Sequence, residues 1–446
     1  MIFSTHIISP LYQQMLYIAI MVARITYTTK LLLVGLSIVL CSYIMPLEAQ
    51  IPGIDLLGKK DHREFKYELQ QGFMVVEVLM EGVIPLKMIF DTGAENTILF
   101  DRELADAVGA NYEREILISG SDLDTVITAN ISRKIELKLE KCKEVNRDII
   151  VIKNNNFLLR EKLGIDVNGI LGGSFFPNTI IRVENKKRKI HIYRPSAFNE
   201  DLKDYDKIPI EIIANKPYLN CTVATASITP IKVKLLLDTG ASLPFLLHTN
   251  TDTNLVLPQR TMLGTVGFGL SGPIRGVIGK SDFLRFGNYN YENIITSFQD
   301  IYFANNRGTG LIRNGILGNL LLRRFDYYIN YTKEELYLKG GRKYNKEFDY
   351  DKSGMSVVSF GPSLNQFMIA SVIEGSPAAA ADIEPGDLVY RINGRNATGI
   401  SLESIASLLS QKEGRKIKIV IDRNGKLVKK QFRLQDWYAP TGQFKF

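Results

Sequence analysis

The chain has 446 residues, 45% of them hydrophobic and 10% aromatic, with 55 Lys and Arg against 47 Asp and Glu. That balance suits two or three globular domains and excludes a disordered or low-complexity chain. The formal charge of +8 is spread among opposite charges, and the main basic run, Lys186-Lys-Arg-Lys189, reads as a solvated hairpin turn, not as a nucleic-acid patch.

Near the N-terminus, Lys30 precedes the apolar stretch LLLVGLSIVLCSYIM at 31–45, and Pro46-Leu-Glu-Ala49 follows. A basic flank, an apolar stretch and a small residue at the cut predict a secretory signal over 1–49, cleaved after Ala49, with the mature chain beginning at Gln50. The stretch is short for a membrane span of about 20 residues, so an uncleaved anchor is the alternative. A start at Met21 would shorten the leader. Leu40 before Cys41 is not the small residue a lipoprotein site needs, which argues against a lipid anchor. The expected location is secreted, periplasmic or cell-envelope, with no stable membrane span after cleavage. Cys142 and Cys221 remain in the mature chain, too few for a disulfide framework, and read as buried apolar residues.

From about residue 64 the chain is dominated by strand patterns. Val83-Ile-Pro-Leu-Lys-Met-Ile-Phe90 runs into Asp91-Thr-Gly-Ala94, and Ile228-Thr-Pro-Ile-Lys-Val-Lys-Leu-Leu-Leu237 runs into Asp238-Thr-Gly-Ala241, 147 residues later. One such acid after a strand is an ordinary turn residue. Two need a better explanation, and more than the motif repeats: Asn168-Gly-Ile-Leu-Gly172 and Asn314-Gly-Ile-Leu-Gly318 lie 77 and 76 residues after their respective Asp. Alternating segments follow each, at 179–194 and 325–339, and look like hairpins closing a unit. The chain therefore holds two copies of one β-rich lobe, 64–200 and 201–341, with short helices expected at 101–108 and near 318–322.

A different module spans 350–436. Glu374-Gly-Ser-Pro-Ala-Ala378 is followed by Ile383-Glu-Pro-Gly-Asp-Leu-Val-Tyr-Arg-Ile-Asn-Gly394, then by a helix with Leu402, Ile405, Leu408 and Leu409 on one face and Ser401 as N-cap. This segment resembles a PDZ domain, with Asp382 where that family usually has Gly; Asp tolerates the left-handed backbone that Gly supplies. The resemblance implies a peptide adding to a sheet edge, its carboxylate meeting backbone N–H groups of a loop. Gly354, Met355, Ser356 and Val357 are the counterpart of that loop, departing from the usual Gly-Leu-Gly-Phe.

Two equivalent loops each carrying an acid supply a specific chemistry. Carboxyls about 3 Å apart cannot both ionise, so one can act as base on a water while the other, protonated, donates to a carbonyl oxygen. Gly93 and Gly240 permit close approach of the opposite loop, and Thr92 and Thr239 can hydrogen-bond across to the other lobe. Both lobes resemble retropepsin-type aspartic proteases: the DTGAENTIL stretch is close to the retroviral pattern, and Ile170-Leu-Gly172 and Ile316-Leu-Gly318 match the family's apolar-apolar-Gly signature. The resemblance covers about 64–341. It implies a mainly β, pseudo-twofold bilobal fold with Asp91 and Asp238 as catalytic pair, acting on peptide or protein substrates. It also implies hairpin flaps over the cleft, with Gly120 in the first lobe and Phe268 and Gly269 in the second as candidate substrate contacts.

Other chemistry finds little support. Gly267 to Gly272 satisfies GxGxxG but is followed by Pro273, not by a helix start, and Gly279-Lys-Ser281 lacks the first Gly of a phosphate loop. His62, His191 and His248 have no metal spacing, and no GxSxG elbow occurs. Neither metal nor cofactor is expected. The reading is a secreted aspartic endopeptidase with a C-terminal PDZ module. Its rivals are an inactive scaffold that binds peptides through that module, and a chain whose lobes pair with those of a second molecule.

Overall fold

The computed structural model describes residues 53–120, 126–153, 164–226, 229–269, 272–301, 313–342, 344–361, 363–436 and 439–440. The expected leader lies outside them, as do the tips of both candidate flap hairpins at 121–125 and 270–271.

Each Asp-Thr-Gly copy is assembled in the same way. In the first, Ile84–Phe90 pairs antiparallel with Phe73–Met80 and parallel with the short strand Gly169–Leu171. In the second, Ile231–Asp238 pairs antiparallel with Lys216–Ala224 and parallel with Gly315–Gly318. A strand flanked and covered on both sides must be apolar nearly throughout, and Leu235, Leu236 and Leu237 are each at most 1% exposed.

The matched spacing from Asp to Asn now has a cause. Asn168 accepts from the Lys87 N–H through Oδ1 at 2.8 Å, while its own N–H donates to the Lys87 carbonyl at 2.7 Å. Asn314 makes the same pair with Lys234, at 2.9 and 2.7 Å. The amide thus completes the sheet hydrogen bonding where the short strand begins. The glycine after it is required sterically: a Cβ on Gly169 would lie 2.1 Å from the Ile98 carbonyl oxygen, and one on Gly315 would lie 2.0 Å from that of Leu246.

The hairpins expected to close two separate units instead join them. Ile180–Glu184 pairs with Lys189–Tyr193, and Phe325–Asn330 with Glu335–Gly340. Ile180–Glu184 also pairs antiparallel with Phe325–Asn330, with Ile181 opposite Ile329. His62–Lys66 and Asp206–Ile213 extend this sheet on its two sides. One apolar core accordingly continues from Leu57 and Phe65 through Phe176 and Tyr327 to Leu338. The basic run is the turn of the first hairpin: Arg188 takes φ +54°, and Lys187 and Lys189 pair with Glu184 and Glu64 at 2.9 and 2.7 Å.

Both short helices form, Arg102–Ala107 with Asp101 accepting from the Glu103 N–H, and Asn319–Leu322 directly after the second Gly-Ile-Leu-Gly. Cys142 and Cys221 are free and buried, and burial pushes the Cys142 thiol up to about 12.

The C-terminal module is a separate sheet, ordered Met355–Phe360, Gln366–Val372, Leu388–Ile392, Lys416–Arg423, Lys426–Arg433, with its own core around Phe367, Ile369, Ile405 and Ile419. Its helix Leu402–Leu409 is capped by Ser401, which accepts from the Ser404 N–H at 3.2 Å. Asp382 takes φ +55°, the left-handed conformation its position demands. The connection to this module is held by Arg324, which donates to the carbonyls of Tyr344, Lys346 and Glu347 and lies over the Phe348 ring. No helix among the described residues is long and apolar enough to cross a membrane.

Candidate active site

The parallel strand pairs aim the two Asp-Thr-Gly loops at each other. Thr92 Oγ1 donates to the Leu237 carbonyl at 2.7 Å and accepts from the Thr239 N–H at 3.1 Å. Thr239 Oγ1 donates to the Phe90 carbonyl at 2.8 Å and accepts from the Thr92 N–H at 3.0 Å. Both threonines are buried, so these four reciprocal bonds, each contributing about 0.5–1.5 kcal/mol net, lock the loops with little play. A hydroxyl that both donates and accepts is needed at each position, which explains Thr.

The glycines explain themselves by proximity. A Cβ on Gly93 would lie 2.4 Å from Asp238 Cγ, and one on Gly240 would lie 2.3 Å from Asp91 Cγ. Each carboxyl therefore packs on the glycine of the opposite loop. The two carboxyls are close enough to interact electrostatically. Asp91 accepts from its own loop through the N–H groups of Gly93 and Ala94, at 2.7 and 3.0 Å, while Asp238 accepts from the Gly240 N–H at 2.8 Å.

Burial raises the pKa of both acids, and for Asp238 the Asp91 charge adds to the effect, holding it well above the ordinary carboxylate range. Asp91 carries more amide donors from its own loop, which favours negative charge there. Arg313 opposes the rise at Asp238 by its positive charge. Burial lowers both Arg313 and Lys216, and Lys216 interacts first with Glu95.

Around the pair lies a cavity of about 660 Å³. Gly120 and Gly269 line it, so the structure brings both of these flap residues to the cleft. Phe268 belongs to strand Arg260–Gly269, and its side chain is outside the described residues. Met355, Ser356 and Val357 line the same cavity, and Gly354 beside them takes φ +75°. Reading the sequence missed Arg313, Lys216 and Glu95. The signal was present in the aligned copies: Val167 precedes the first Asn-Gly and Arg313 the second, while Glu95 stands opposite Ser242.

Residues 76–175 match a family model described as aspartyl protease, and 368–423 match one described as PDZ domain. A probable CtpA-like serine protease of Staphylococcus saprophyticus is 31% identical over 139 residues, 30% of this chain and 26% of that protein. The carboxy-terminal processing protease CtpA of Bacillus subtilis is 35% identical over 60 residues, 14% of this chain and 13% of that protein. The chain thus spans about a quarter or less of the length of these curated relatives. An aspartic proteinase from Irpex lacteus aligns over 64% of this chain and 99% of its own, at 14% identity and a TM-score of 0.41, a likeness too low to carry an argument. The chain is mainly β and combines an aspartyl-protease-like domain with a C-terminal PDZ domain.

Proposed function

We propose that this chain is an aspartic endopeptidase acting outside the cytoplasm, with Asp91 and Asp238 as its catalytic residues. The observation that carries the reading is the approach of two carboxyls, each against the glycine of the opposite loop, across a reciprocal pair of Thr-to-carbonyl bonds. A water held between them loses a proton to Asp91 as its oxygen attacks the carbonyl carbon, and Asp238 gives its proton to the carbonyl oxygen. The resulting gem-diol collapses: Asp91 returns its proton to the leaving nitrogen, the C–N bond breaks, and one hydroxyl proton goes back to Asp238. The atoms balance with water as the only co-reactant. Serine chemistry, the class of the probable CtpA-like serine protease of Staphylococcus saprophyticus, is the rival the test must separate.

The purified chain is incubated with a mixed peptide library from acidic to neutral pH. Cleavage is expected, and is expected to vanish in Asp91→Asn and in Asp238→Asn. A peptide with a hydroxyethylene group in place of the scissile amide should block it, and a fluorophosphonate should not. Hydrolysis that persists in the double variant, or that a fluorophosphonate abolishes, would overturn the assignment. Dilution separates the two-molecule rival: activity per chain should stay constant, because the loops of one chain already meet.

A further inference from the structure

The cavity that holds the acidic pair does not end at the two lobes. Its wall continues through Met355 and Val357 on one strand of the PDZ domain and Leu402, Ile405 and Leu409 on its helix. Met355–Phe360 is an edge strand, paired among the described strands only with Gln366–Val372, and the helix packs beside it. An edge strand next to a helix offers an extended peptide both backbone hydrogen bonds and an apolar floor. This groove is fixed against the lobes: a Cβ on Gly164 would meet Leu402 and Ser359 at 3.1 Å. Groove and cleft belong to one continuous cavity, so a single extended segment can run from one to the other.

At the head of the groove the amides of Ser353, Gly354 and Met355 already have internal acceptors. Asp351 Oδ1 accepts from the N–H groups of Ser353 and Gly354 at 2.9 and 2.8 Å, and the Ser353 hydroxyl donates to the same carboxylate. The Met355 N–H donates to Ser353 Oγ at 3.2 Å. A ligand carboxylate reaching for these amides would have to displace these internal acceptors. We infer that the groove binds an internal, extended segment of the polypeptide substrate with apolar residues at alternate positions, instead of a free C-terminus, and feeds that segment to the acidic pair. This deepens the endopeptidase reading and rests on it for the second step alone.

The full chain carrying Asp91→Asn and Asp238→Asn reads binding without turnover. A fluorescein-labelled twelve-residue peptide of alternating Val and Ser is titrated by anisotropy in three forms: free acid, C-terminal amide, and extended by a ten-residue Gly-Ser tail. The three Kd values are expected to agree within about twofold, and Val357→Lys should weaken all three about tenfold. Asp351→Ala empties the loop and should tighten the free acid alone. In the active chain, Val357→Lys should raise KM for oxidised insulin B chain with kcat unchanged. A free acid that binds at least about tenfold tighter than the amide and the extended form would overturn the inference, as would no binding of any form. So would binding that Val357→Lys leaves untouched while circular dichroism shows the fold intact; if that variant is misfolded, Leu402→Gln takes its place. Binding as expected without any cleavage by the active chain would instead sink the endopeptidase reading and leave the groove assignment standing.

Discussion

The loop at Asp91 and the loop at Asp238 share their scaffold and differ in their surroundings. Threonine to opposite carbonyl, glycine under opposite carboxyl, and asparagine against its own strand recur in both copies with distances matched to about 0.1 Å. The electrostatics do not recur. Asp91 has two amide donors on its own loop, whereas Asp238 has one and lies in the field of Arg313. Symmetry therefore fixes where the carboxyls stand, and asymmetry biases how charge divides between them.

That division can be broken from either side. The largest effect is expected at the acids themselves: Asp91→Asn or Asp238→Asn should lower kcat by roughly 10³-fold or more while leaving the unfolding midpoint near its original value, as read by peptide cleavage and denaturant titration. Next come the threonines. Thr92→Val removes one partner from the Leu237 carbonyl and another from the Thr239 N–H, and should destabilise the chain by about 2–4 kcal/mol. Thr239→Val should match it; a difference beyond about 1 kcal/mol in urea unfolding would break the symmetry of the scaffold.

Arg313→Met tests the asymmetry. Arg313 holds Asp238 down, so its removal should carry the loss of the acid form, and with it the upper limb of the kcat/KM profile, to higher pH. An unmoved upper limb would mean that Asp238 is not the proton carrier. The smallest change is expected away from the cleft. Burial raises Asp351 from 3.8 to about 6, so the folded chain prefers that acid protonated. The stability this confers is complete below 3.8 and is lost as pH climbs to about 6. Asp351→Asn should therefore raise the urea midpoint at pH 8 more than at pH 4, and an equal change at both would contradict the assignment of that burial.

Much of the site was legible because duplication leaves a record in the chain. Two Asp-Thr-Gly-Ala segments and two Asn-Gly-Ile-Leu-Gly segments at one spacing point to two loops built alike, and local rules located Ser401 and the conformation of Asp382. What could not be read depends on contacts between distant segments. The pairing of Ile180–Glu184 with Phe325–Asn330 has no local signature, because a strand with a free edge looks the same whether solvent or another strand lies beside it. Arg313 carries no signature for a related reason: it stands where the copies differ, opposite Val167, and outside the residues that repeat. Asp351 sits in a polar stretch that resembles an ordinary linker, and only the loop folding back over it reveals its role as an internal acceptor.

The strand pairing that runs from Ile180–Glu184 into Phe325–Asn330 has one more implication. An enzyme assembled from two identical halves can be switched off by keeping its subunits scarce. Here the halves belong to one chain and share a strand pairing, so their meeting does not depend on how often copies collide. If the proposed activity holds, restraint would have to come from where the chain is placed or from what reaches its cleft.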